Sequence, residues 1–165
     1  MITIISGTNR KDSATKQVTA TYKKLLQQRG LDPYILYLDE TDMTHRDKAF
    51  LAIEEQFLIP ASKFIFIIPE YNGSYPGIVK LMIDNTDVKK VWYNKPALLT
   101  GVSTGRAGNL RGMDHLTGSL MHMKMHVHPN RLPISVVNTL MDKEGNITDS
   151  KTIDVIKQQI NEFLS

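Results

Sequence analysis

From its second residue to its last turn, the chain alternates short β-branched or aromatic runs with segments of helical periodicity. No other feature constrains its fold as much. Ile2 to Ile5 is an apolar run ending at Ser6-Gly7, the pattern of a buried strand. From Ser13 to Arg29 the period changes, and Val18, Tyr22, Leu25 and Leu26 fall on one helical face. Asp12 or Ser13 is placed to cap that helix, and Gly30 to end it. Tyr34 to Leu38 reads as a second strand and residues 39 to 46 as a polar turn. Asp47 to Leu58 is a helix candidate with Phe50, Leu51, Ile53, Phe57 and Leu58 apolar. Lys63 to Ile68 is the strongest strand, Ile78 to Thr86 a helix, Pro96 to Val102 a fourth strand and Asn109 to His122 a further helix. A short fifth strand is expected within Met123 to Val137, and a closing helix over Thr148 to Leu164.

Unbroken strand–helix alternation is the mark of an α/β fold, a parallel sheet covered by helices on both faces. Five strands in 165 residues fit a three-layer, doubly wound domain. Right-handed crossovers leave few topologies, and the order 2-1-3-4-5 is one of the two common ones. No repeat, linker or second domain is visible, so residues 1–165 are expected to form one domain.

Composition narrows the chemistry. The chain is 41% apolar and 22% charged, as expected of a globular protein, and contains no cysteine. Disulfides, thiolate metal sites and cysteine nucleophiles are therefore excluded. No signal peptide precedes the first strand, and the longest apolar run, Phe64 to Pro69, is too short to span a bilayer. No membrane association and a cytoplasmic location are the expectation. The net charge of +3 and pI near 9.0 favour anionic ligands. The basic residues are scattered and not interleaved with aromatics, so nucleic acid is not an expected partner.

In an open parallel sheet, ligands sit beyond the carboxyl ends of the strands near the switch in strand order. The three loops that would meet there are unusual. After strand one comes Ser6-Gly7-Thr8-Asn9-Arg10-Lys11-Asp12-Ser13-Ala14-Thr15. Free backbone N–H groups and a positive helix end attract a phosphate, hydroxyls donate to it, and Arg10 adds a charge-assisted bond. The glycines of G-x-G-x-x-G and the Gly-Lys-Ser/Thr of a P-loop are missing, and a capped surface turn fits this loop about equally well. After strand three comes Pro69-Glu70-Tyr71-Asn72-Gly73-Ser74-Tyr75-Pro76-Gly77, a stiff loop with aromatic faces suited to a flat heterocycle. After strand four comes Ser103-Thr104-Gly105-Arg106-Ala107-Gly108-Asn109-Leu110-Arg111, small and glycine-rich. Arg106 and Arg111 there could meet a dinucleotide phosphate or could be solvated charges.

Taken together, these loops resemble those of the NADPH-dependent FMN reductase family, a branch of the flavodoxin-like fold. Its Gly-Ser-x-Arg-x-x-Ser loop reads here Gly7-Thr8-Asn9-Arg10-Lys11-Asp12-Ser13. Its Pro-Glu-Tyr-Asn-x-Ser-x-Pro-Gly loop is matched by Pro69 to Gly77, with Lys80 in the helix that follows. The Ser103 to Gly108 loop and the turn from Met141 to Asp149 are similar as well. The resemblance implies an FMN site in which Thr8, Arg10, Ser13 and Thr15 hold the phosphate. Pro69, Glu70, Tyr71 and Asn72 line the isoalloxazine, and Ser103, Gly105 and Gly108 close the other side. Three positions depart from the family's usual residues: Thr15 in place of Asn, Asn85 in place of an aromatic, and Gly73 in place of something bulkier.

The resemblance further implies an enzyme that takes hydride from NADPH or NADH onto FMN and passes electrons to a small acceptor, such as a free flavin, a quinone or an azo compound. It implies a homodimer or homotetramer. The cofactor carries the reaction, so no catalytic side chain is assigned. A flavodoxin-type electron carrier without nicotinamide activity is the alternative, and Arg10 with the basic balance favours the reductase. The run Met121-His122-Met123-Lys124-Met125-His126-Val127-His128 invites a metal reading. Its alternation instead reads as methionines packing into the core with the histidines outward, and no metal is expected. No G-x-S-x-G elbow supports a serine hydrolase.

Overall fold

The computed structural model describes all 165 residues. Its strands are β1 (Ile2–Ser6), β2 (Tyr34–Tyr37), β3 (Lys63–Pro69), β4 (Pro96–Val102), β5 (His126–Val127) and β6 (Leu132–Ile134). Its helices are α1 (Ala14–Gln27), α2 (Lys48–Ile53), α3 (Gly77–Asn85), α4 (Val88–Val91), α5 (Leu110–His122) and α6 (Ser150–Leu164). The strands form a parallel sheet in the order β2-β1-β3-β4-β5, with β6 also pairing β4. This is the expected doubly wound flavodoxin-like α/β architecture.

The two-residue period of the strands sorts the core onto two faces. Ile5, Phe64, Phe66 and Ile68 pack with Phe50, Met82, Trp92, Met113 and Leu116 beneath α2 to α5. Ile4, Ile65, Ile67 and Leu98 pack with Val18, Tyr22, Leu26, Ile156 and Ile160 beneath α1 and α6. These side chains are essentially fully buried, and truncating one such as Leu26 to alanine costs about 2–5 kcal/mol. The buried Tyr22 hydroxyl is paired: it lies 2.7 Å from Thr100 Oγ1 and donates to Gln159 Oε1. Burial pushes the Tyr22 phenol well above its ordinary pKa.

Four local expectations are sharpened. The predicted 47–58 helix starts as α2, capped by Asp47, and widens into a π turn over Glu54–Leu58. There the Glu54 carboxylate is drawn to Arg46 and to the Asp87 N–H, and Lys95 Nζ binds the Leu58 and Ile59 carbonyls at the end of the turn. The single fifth strand is two short pieces, β5 and β6, interrupted at Pro129, which has no N–H to continue the ladder. The four-residue α4, capped by Asp87, was not anticipated. Met123 and Met125 enter the core as predicted, whereas Met121 is 62% exposed because it sits in the last turn of α5. No helix is long and apolar enough to cross a membrane.

Candidate functional site

The loops leaving β1, β3 and β4 meet at the carboxyl edge of the sheet around a cleft of about 250 Å³. Arg10, Asp12, Ser13, Ala14 and Thr15 line it from the first loop, Pro69, Glu70 and Tyr71 from the second, and Val102, Ser103 and Thr104 from the third. Glu70, Ser103 and Thr104 also border a neighbouring hollow of about 310 Å³ completed by Gly105, Arg106 and Ala107.

The first loop is shaped for an anion. Ser13 is the N-cap of α1, yet its hydroxyl makes no capping bond and is buried without a partner in the chain. A capping serine normally accepts from an N–H of the first turn. Here the Ala14 and Thr15 N–H groups, which lack intrahelical acceptors by geometry, and the serine hydroxyl are left unspent beside Arg10, while the Lys16 N–H is bonded to the Ser13 carbonyl. This donor set fits a phosphate monoester. Thr15 is buried on the same wall. Thr8 is placed differently: it lies behind the cleft, its Oγ1 2.7 Å from the Tyr71 hydroxyl while accepting from the Arg10 N–H at 3.1 Å. The Arg10 guanidinium rests on the Tyr71 ring, 4.4 Å from its centre. Thr8 and Tyr71 thus join two loops whose residues are 63 positions apart in sequence.

The second loop is a tight hairpin. Tyr71 and Ser74 exchange both backbone hydrogen bonds, at 2.9 and 3.1 Å. Asn72 and Gly73 take φ of 52° and 77°, the left-handed pair for which Asn-Gly is the preferred sequence. This explains the glycine at 73, where a side chain would also run against Arg111 Nη1. The Glu70 N–H is bonded to Val102 O and the Tyr71 N–H to Ser74 O. The N–H groups of Asn72 and Gly73 make no backbone bond, and these two residues lie just beyond the lining of the cleft, which ends in this loop at Tyr71.

The third loop is knotted on Ser103. Its hydroxyl donates to Gly105 O and accepts from the Gly108 N–H, and its carbonyl accepts from the Val137 N–H. Gly105 borders the neighbouring hollow. Gly108 is buried with φ of 56° against Pro133 and is not part of the cleft wall. Sequence reasoning missed Asp12 and Thr104 as lining residues, and also Val137 and Asn138. The last two arrive from the 3₁₀ turn Val137–Leu140, carried there by β6 pairing with β4, a contact with no local sequence signal.

Charge is distributed in keeping with this. Arg29, Arg46 and Arg131 are engaged by Asn161, Glu54 and Asp114. The other three arginines, Arg10, Arg106 and Arg111, have no carboxylate partner and all belong to the loops of this edge or the start of α5.

Comparison with known proteins identifies the family. The profile of the family described as NADPH-dependent FMN reductase matches residues 1–138. An NAD(P)H-dependent FMN reductase of Pseudomonas aeruginosa is 32% identical over 103 residues, 61% of this chain and 56% of the relative, so the match spans little more than half of that protein. A 2-hydroxy-1,4-benzoquinone reductase of a Burkholderia species is 26% identical over 161 residues, covering 92% of this chain and 87% of the relative. Among solved structures, the flavoenzyme NAD(P)H:(acceptor) oxidoreductase FerB of Paracoccus denitrificans superposes with a TM-score of 0.85 at 24% identity, over 99% of this chain and 94% of that one. With the profile spanning all three loops of the cleft, the chain belongs to the NADPH-dependent FMN reductase family.

Proposed function

We propose that this chain is an FMN-dependent oxidoreductase that uses NADPH or NADH to reduce a small acceptor, a quinone or a flavin. The observation that carries the reading is the unpartnered, buried Ser13 hydroxyl at the start of α1, facing the Tyr71 loop across one cleft. A phosphate at one end and a flat ring at the other satisfy both. When bound, FMN supplies the transfer of electrons between reduced nicotinamide and acceptor.

The residues of the chain then bind and orient. Arg10, the Ser13 and Thr15 hydroxyls and the first N–H groups of α1 hold the phosphate. Thr8 braces this loop from behind through Tyr71. Pro69 and Glu70 form the wall beside the ring, Tyr71 carries the turn, and the N–H groups of Asn72 and Gly73 meet the polar edge of the heterocycle, where negative charge accumulates on reduction. Ser103 and Gly105 shape the opposite lip, with Gly108 fixing that loop. Arg106, which borders the neighbouring hollow without a carboxylate partner, is the charge available to the phosphates of a nicotinamide dinucleotide.

The reading includes a homodimer. Between α3 and α5 lies a largely polar hollow of about 640 Å³, where Lys80, Asp84, His115, Ser119 and His122 surround Ile83, Val88 and Met123. A two-fold copy seated there could exchange the Lys80–Asp84 pair between chains. Light scattering that returns the mass of one chain removes the dimer. The use of a reduced nicotinamide coenzyme supports a cytoplasmic site of action, which fractionation tests.

The test of function is spectroscopic. Purified protein mixed with FMN should perturb the visible flavin spectrum, and NADPH or NADH added without oxygen should bleach it on the timescale of turnover with a benzoquinone. No perturbation refutes the FMN site. Binding without reduction by either nicotinamide leaves an electron carrier instead.

A further inference from the structure

The geometry points to Asn109 as a positioning residue that aims the second loop at the flavin, an inference that rests on the FMN reading above. Asn109 is fully buried and takes a left-handed conformation, φ 61° and ψ 33°, at the N-cap of α5. A capping asparagine ordinarily accepts from the N–H of the first turn of its own helix. This one does not. Its amide instead reaches across to β3, where Nδ2 donates to Ile68 O at 3.0 Å and to Pro69 O at 2.9 Å, while Oδ1 is left buried without a partner.

Those carbonyls are the last of β3 before the hairpin. The Pro69–Glu70 peptide is therefore gripped from both sides, its carbonyl by Asn109 and its N–H by Val102 O at 2.9 Å. With that peptide fixed, the Tyr71–Ser74 turn has one orientation, and the free N–H groups of Asn72 and Gly73 have one direction.

The surroundings are cut to the carboxamide. A Cβ at Gly112 would fall 2.0 Å from Asn109 Oδ1, and a Cβ at Gly101 would fall 3.1 Å from Asn109 Cβ and 2.1 Å from Gly108 O. Glycine in the first turn of a helix is costly relative to alanine, so its presence at 112 marks the space as needed. The third loop is thereby coupled to the second through one side chain.

Asn109→Gly tests this, because glycine keeps the left-handed backbone and deletes only the amide. FMN binding should weaken about tenfold or more. The spectrum of the saturated complex should move towards that of free FMN, and the flavin midpoint potential should shift, with kcat falling more than the KM for nicotinamide rises. Asn109→Asp, which sets a carboxylate against two carbonyls, should fail to restore the spectrum. Gly112→Ala is the second arm. Helix propensity alone predicts a more stable α5, whereas the proposal predicts the same spectral displacement as Asn109→Gly. An Asn109→Gly protein with wild-type affinity, spectrum and potential overturns the proposal. Should that variant not fold, wild-type flavin properties in Gly112→Ala overturn it equally. Failure of the wild-type protein to take up FMN is a separate result, seen before any variant is made, and it removes the reading beneath.

Discussion

The Thr8 hydroxyl and the Tyr71 phenol share a 2.7 Å hydrogen bond that ties the loop after β1 to the loop after β3. Thr8 also receives the Arg10 N–H, so one small side chain sets the position of the cleft's cation. Thr8→Val removes both partners at once and leaves the Arg10 N–H and the phenol short of a bond. A loss of about 1–3 kcal/mol in FMN binding is expected, against about 1 kcal/mol for Tyr71→Phe, which keeps the ring under Arg10. Equal affinities for wild type and Thr8→Val, measured by flavin fluorescence, contradict this brace.

Arg10 has no carboxylate partner and stacks on Tyr71, so its charge is available to a phosphate. Arg10→Ala should weaken FMN binding by about 1–3 kcal/mol yet barely change binding of riboflavin, which lacks the phosphate. A parallel loss for both flavins would place Arg10 at the ring and not at the phosphate.

How far this site was legible follows from which of its contacts are local. The alternation of runs such as Ile2–Ile5 and Lys63–Ile68 with amphipathic helices was enough for a parallel sheet covered on both faces, because both periods are properties of neighbouring residues, while the order 2-1-3-4-5 was one of two common choices. The chemistry of the Ser6 to Ser13 loop was legible for the same reason. The placing of Thr8 behind the cleft was not, since it depends on a tyrosine 63 residues away. Nor could Val137 and Asn138 be placed in the cleft before β6 was known to pair with β4. The π turn at Glu54 escaped for a related reason: the Glu54 carboxylate within it is bonded to Arg46 and to the N–H of Asp87, 33 residues on.

Glu54 is 2% exposed and accepts from Arg46 through both nitrogens and from the Asp87 N–H. It thereby joins the π turn to the start of α4. Glu54→Ala strands the part-buried Asp87 N–H and removes a charge-assisted pair. A loss of about 2–3 kcal/mol is expected, discounted because Arg46 is partly in water. Urea unfolding gives the value, and a change below about 0.5 kcal/mol would mean the segment relaxes around the gap.

Acid should loosen the caps first. The Thr152 hydroxyl and then its N–H hold the Asp149 carboxyl below its ordinary pKa, and the Lys90 N–H does the same for Asp87. The Asn146 side chain, followed by its N–H, lowers Asp142. A carboxyl lowered in the folded state contributes stability that is present above its unfolded pKa, about 4, and lost as pH falls through the lower folded value. The melting temperature should therefore decline as pH drops below about 4, and Asp149→Asn should make that decline shallower. Identical pH profiles for the two proteins would show that the Asp149 cap is not coupled to folding.

Val136 takes φ of 44° and ψ of 39°, a left-handed conformation that crowds a β-branched side chain. It is 41% exposed, so packing does not account for the residue. Its N–H donates to Gly105 O at 2.8 Å, and the next residue, Val137, lines the cleft. The backbone here is bent by the need to bring the 3₁₀ turn against the third loop. Asparagine tolerates this conformation and keeps the N–H, so Val136→Asn should stabilise the fold by about 1 kcal/mol with the Gly105 bond intact. Thermal unfolding measures the gain. A melting temperature lower than wild type would mean that the valine methyls contribute more packing than their exposure suggests, and that the strain is held by the side chain itself.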